Sequence, residues 1–188
     1  MRWLTLYARS RQVPASAAAI ALVTAAAWAF DGPDRADTGI AILVLTANAA
    51  AASVGLGGRD VTLERTAAIR WAPRRAAHVL LIGALVGAAL LAVQAAGAQL
   101  APTEVVIRVA AGLTGLAALG AVLCGAHFAW TLPTGWLAFT LLAPPPGGTA
   151  GEVLHWMTFS PATPVSNGTA LALLTLGTTL YAAAGPRG

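Results

Sequence analysis

HVLLIGALVGAALLAVQAAGAQL, residues 78–100, contains no Asp, Glu, Lys or Arg along its whole length. A helix crossing the hydrocarbon core of a bilayer needs roughly 20 such residues. Lipid offers the backbone no hydrogen-bond partners, so the stretch predicts a transmembrane helix. Residues 39–57, GIAILVLTANAAAASVGLG, are equally free of charge. The whole chain has the same character: it is 57% hydrophobic and 10% charged, with a mean hydropathy of +0.73. About a quarter of the residues are charged in an average soluble domain. The expected fold is an all-α polytopic membrane protein, one domain over residues 1–188.

Working outward, six spans are predicted at about 15–30, 39–57, 78–98, 105–123, 127–144 and 168–184. Residues 1–13 form an interfacial helix before the first: Trp3, Leu6 and Tyr7 share one face, with Arg2, Thr5, Arg9 and Gln12 opposite and Arg11 the exception. The same basic-then-apolar beginning has the form of a secretory signal, but the further apolar segments favour a first span. Pro133 interrupts the fifth span, and the turn before it, near Cys124 and His127, carries no fixed charge, so a broken or partly re-entrant span is one form this hairpin can take.

All eleven basic residues are arginine, against seven acids, and their positions matter more than the net charge of +4. In a soluble protein this balance would suit nucleic acid; in a membrane protein it reports orientation. Arg2, Arg9 and Arg11, then Arg59, Arg65, Arg70, Arg74 and Arg75, then Arg187 fall on one side of the six spans, and only Arg35 and Arg108 on the other. Both termini and the charged loop are therefore expected to face the cytoplasm. The outer connections hold Asp31, Asp34, Asp37, Glu104 and Glu152.

The outer segment 145–167 is too long and apolar for a plain connection. Thr149 and Glu152 have capping-box spacing, and Val153, Trp156 and Met157 stand at i, i+3 and i+4, so a short helix in or dipping into the outer leaflet is expected. It is either a lipid anchor through Trp156 or a lid over an exit path. Asn167-Gly168-Thr169 matches a glycosylation acceptor, a short pattern that nothing else in the chain supports.

No catalytic constellation stands out. The chain has no phosphate-cradling loop, no carboxylate pair in a span, and its histidines, His78, His127 and His155, are scattered over three interfaces, so no metal or cofactor is expected. The single cysteine, Cys124, excludes an intramolecular disulfide. His127 is either a proton relay or an interfacial packing residue. Asn48, near mid-membrane, calls for an interhelical hydrogen bond or a substrate contact. Gly83 and Gly87 form a GxxxG pattern, and Gly112, Gly115 and Gly120 a second smooth surface.

Residues 58–78, GRDVTLERTAAIRWAPRRAAH, concentrate five arginines and two acids. Their arginines can simply fix topology and touch anionic headgroups. Asp60, Glu64, Arg65, Ile69 and Trp71 add the mixed character of a short helix ahead of Pro73, suited to a protein contact.

An amphipathic start (RWLTLYARSRQ), a charged segment between spans two and three (RDVTLERTAAIRWAPRR) and a helical segment before the last span (TAGEVLHWMTF) follow one another in this order. The arrangement resembles the six-helix permease subunits of ABC-type exporters of the short, type V kind, over almost the whole chain. The resemblance implies a coupling loop at 58–77 that docks on a separate ATPase subunit through Asp60, Glu64, Arg65, Ile69 and Arg70. It also implies a second permease copy or a related permease, and an outer gate at Glu152, His155, Trp156 and Met157. The implied function is export of an amphipathic substrate across a bacterial inner membrane, with no catalysis by the chain itself. The alternative is a non-transport scaffold or assembly subunit of a larger membrane complex, which predicts no bound ATPase; an intramembrane lipid enzyme would need a polar cluster that Asn48 and His127 alone do not make.

Overall fold

The computed structural model describes residues 13–29, 37–56, 71–98 and 100–187, all helical or in short connections, with no strand among them. Seven α-helices follow in order: α1 (Val13–Ala29), α2 (Thr38–Ser53), α3 (Trp71–Ala95), α4 (Thr103–Leu123), α5 (Thr131–Leu142), α6 (Gly148–Leu154) and α7 (Pro164–Ala184). Short 3-10 turns extend α2 at Val54–Leu56 and precede α5 at Ala126–Phe128. Three of these segments, Thr38–Leu56, Trp71–Ala95 and Thr103–Leu123, are long and apolar enough to cross a membrane. Helix α7 is as long as α4, but Ser166, Asn167 and four threonines lower its hydropathy. Thr169, Thr175 and Thr179 return their hydroxyls to carbonyls three or four residues back.

Several boundaries differ from those expected. Helix α3 begins at Trp71, so residues 71–77 belong to it rather than to the charged loop. Pro73 sits in its first turn, where a missing N–H costs no intrahelical bond, so the proline starts this helix instead of following one. The fifth span shrinks to the 12 residues of α5. The capping box is not formed: Gly147 is the N-cap of α6 with no side-chain bond, and Thr149 and Glu152 lie inside the helix. Trp156 and Met157 come after α6 ends, in the turns that follow.

Helix α4 is the centre of the bundle, buried over most of its length and packed by α2, α3, α5 and α7. Glycine makes this possible by letting neighbours approach the backbone. A Cβ at Gly115 would overlap the Leu173 carbonyl of α7, and one at Gly177 would overlap the Gly115 carbonyl, so α4 and α7 meet backbone to backbone. A Cβ at Gly120 would lie 2.6 Å from the Ala129 carbonyl oxygen. On the α3 side a Cβ at Gly83 would come 2.8 Å from Thr114 Oγ1.

At one end of the bundle two carbonyls at the α2 terminus are taken up by side chains from two other helices. Tyr181 Oη donates to Leu56 O at 2.7 Å, and His78 Nε2 lies 3.1 Å from Gly55 O, to which it donates. The tail closes the same end: Arg187 N donates to Ala121 O at 3.1 Å and its guanidinium to Leu123 O at 3.2 Å. Arg74, Arg75 and Arg187 therefore gather here, while Asp37, Glu104 and Glu152 lie at the other end. Asp37 caps α2 there through Gly39 N, 2.8 Å away.

Candidate functional site

Helices α1 and α3 run in the same direction and meet over only part of their length. Between them lies an apolar groove of about 710 Å³ whose back wall is the end of α2. Small side chains create it: alanines such as Ala17, Ala21, Ala88 and Ala92 leave the width that leucines would fill. Along α3 the lining runs from His78 to Ala96, about 27 Å at the helical rise, close to the thickness of a bilayer's hydrocarbon core. Among the described residues, only Ser16, Thr24 and His78 bring polar side chains to the lining.

Thr24 is the polar group at mid-depth, and it is held from behind. Asn48 Nδ2 donates to Thr24 Oγ1 at 3.0 Å, joining α1 to α2, and Asn48 is 0% exposed with its Oδ1 unpartnered. The hydrogen bond expected of Asn48 is thus made between helices, to a residue that also lines the groove.

The opposite end of the bundle carries the second constellation. Arg108, in the second turn of α4 and only 5% exposed, donates to Ser160 O at 2.9 Å, to Asn167 Oδ1 at 3.3 Å and to Phe159 O. One guanidinium fork thereby ties the end of the outer segment and the start of α7 to the central helix. One turn deeper on the same face, Gly112 leaves the space that the Trp156 indole fills, since a Cβ there would overlap the ring. Gly112 is nine residues into α4, about 14 Å below its start, so the tip of the Trp156 indole reaches deep into the bundle. Trp136 Nε1 donates to Leu154 O at 3.0 Å and Ser166 Oγ to Glu152 O at 2.9 Å, satisfying carbonyls that lipid would not.

Of the expected outer-gate residues, His155, Trp156 and Met157 are buried and Glu152 is half-buried. Trp156 is not a lipid-facing anchor: at 0% exposure it packs inside the protein. His155 stacks obliquely on Phe139, ring centres 5.7 Å apart, with its Nε2 unpartnered. His127 and Cys124 are exposed at the basic end. No group of three metal-ligating side chains occurs among the described residues. The expected coupling residues Asp60, Glu64, Arg65, Ile69 and Arg70, and the interfacial helix over 1–13 except its last residue, lie outside the described residues. Sequence reasoning missed Arg108 as a structural residue; its one signal was an arginine placed inside a predicted span.

No family model, curated protein or solved structure matches the chain.

Proposed function

We propose that this chain is the membrane-embedded subunit of an ABC-type exporter, paired with a second copy or a related permease and driven by a separate cytoplasmic ATPase. In this reading the bundle spans a bacterial inner membrane with its arginine-rich end in the cytoplasm, as the bias of basic residues favours. Six crossings follow if α5, about 18 Å long, shares its crossing with the buried outer segment.

The observation that supports the reading is where the groove lies relative to residues 57–70. Ala52 and Gly55 near the end of α2, and His78 and Leu81 near the start of α3, line the groove. Residues 57–70 join those two helix ends in the chain. A partner gripping that segment acts on two groove walls at once. ATP binding shifts such an equilibrium only through contacts that differ between two states, and this segment is the natural place for them. The groove's apolar lining suits an amphipathic cargo, and hydrolysis belongs to the partner.

The test is replacement of Glu64 and Arg65 by alanine in the tagged full chain. Membrane insertion at the wild-type level with a severalfold loss of co-purified ATPase is the expected result. Undiminished co-purification would remove this segment as the docking site.

A further inference from the structure

We infer that the groove between α1 and α3 takes the hydrocarbon chain of an anionic membrane lipid, with the headgroup at the arginine-rich end. The inference rests on the transport reading above and names the cargo class that reading leaves open.

Charge and polarity along the groove select this occupant. The lining residues of α3 follow one stripe, His78, Leu81, Leu85, Ala88 and Ala92, and the same face continues one turn earlier at Arg74. Arg74 is exposed and lies 5.9 Å from the centre of the Trp71 ring, which sets an arginine beside an aromatic ring one to two turns before the α3 lining begins. Trp and Arg at a span end mark the headgroup level of a bilayer. Among the described residues this end holds Arg74, Arg75 and Arg187 and no acid, and over the whole chain the segment 57–70 adds three arginines against Asp60 and Glu64, so the balance favours an anionic headgroup. Ser16 and His78 line the same end, and beyond them, among the described residues, Thr24 alone interrupts an apolar wall. A polar solute or an extended peptide would lose its hydrogen bonds over most of that length. A hydrocarbon tail would lose nothing, and its charged end would sit where the arginines are.

The experiment is native mass spectrometry of the detergent-purified full chain, given equimolar phosphatidylglycerol and phosphatidylcholine with identical acyl chains. The wild-type protein is expected to retain phosphatidylglycerol about fivefold over phosphatidylcholine, the preference one interfacial arginine provides. Arg74→Gln should lower the ratio severalfold at unchanged total occupancy. Ala88→Leu on one wall and Ala21→Leu on the other should each lower retention of both lipids; both sites are exposed and leucine keeps the helix, so the fold survives. Equal retention by the wild type, full retention in both leucine variants, or a second protein chain bound with lipid excluded would overturn the assignment. The assay contains no ATPase. Selective lipid binding by a chain that captures no ATPase would keep the groove's occupant and discard the exporter, and capture without selectivity would do the reverse.

Discussion

Arg108 shows how one residue can organise a region that its neighbours in sequence do not touch. Its acceptors lie more than fifty residues away, and two of them are backbone carbonyls in an irregular segment that lipid could not satisfy. Arg108→Ala should therefore destabilise the protein by about 1–3 kcal/mol, because it leaves part-buried acceptors without their donor. Lysine, a point charge without the planar fork, should restore only part of that. The unfolding midpoint in detergent reads both. The Gly112 and Trp156 pair makes a sharper case. Gly112→Ala forces the indole out of its slot and should cost about 1–3 kcal/mol. Trp156→Ala empties the slot at about 3–5 kcal/mol. Gly112→Ala combined with Trp156→Leu should be more stable than the sum of the single changes, since a smaller side chain relieves the overlap. Strict additivity would show that the two do not share a space. The composition of this site was legible, the partnership was not. The glycines of α4 marked a smooth surface, yet nothing in their spacing says that one receives an indole, another a helix and a third a turn.

Elements reveal the same division between what local pattern carries and what tertiary contact decides. The long apolar runs located α2, α3 and α4 to within a turn at most ends, because hydrocarbon length is a local property of sequence. Helix α3 was misplaced at its start, because Pro73 can either end one helix or open the next, and only the first-turn position in the folded chain decides. The outer segment was recognised as structured, with a lipid anchor and a lid as the two alternatives. Its burial comes from Gly112 and Arg108 on α4, both more than forty residues earlier. For the α4 and α7 contact, Gly115→Leu is expected to drive the helices apart at the Gly177 crossing and to lower stability by several kcal/mol, toward or past the upper end of the about 1–3 kcal/mol of ordinary overpacking, because the obstacle is backbone. Gly168→Ala, on the same helix with open space around it, should change stability little. Thermal unfolding of the two variants side by side checks the contrast.

Among the described residues, Arg74, Arg75 and Arg187 lie at the end where the end of α2 and the start of α3 meet, and Asp37, Glu104 and Glu152 lie at the other, where Arg108 is the one arginine. Cys124, the single cysteine, is exposed at the arginine-rich end and so reports orientation without any engineering. A membrane-impermeant maleimide should label it in inside-out vesicles and leave it unlabelled in intact cells; the reverse pattern would invert the proposed topology. Orientation then fixes which compartment residues 57–70 face, and with it the class of partner they can meet. Affinity purification of the tagged chain from its native membrane in mild detergent, with mass spectrometry of its companions, tests the exporter reading most directly. The account predicts an ABC-type ATPase in stoichiometric amount. Consistent recovery of the intact chain with other membrane subunits and no ATPase would contradict it and leave a scaffold whose arginines set topology alone.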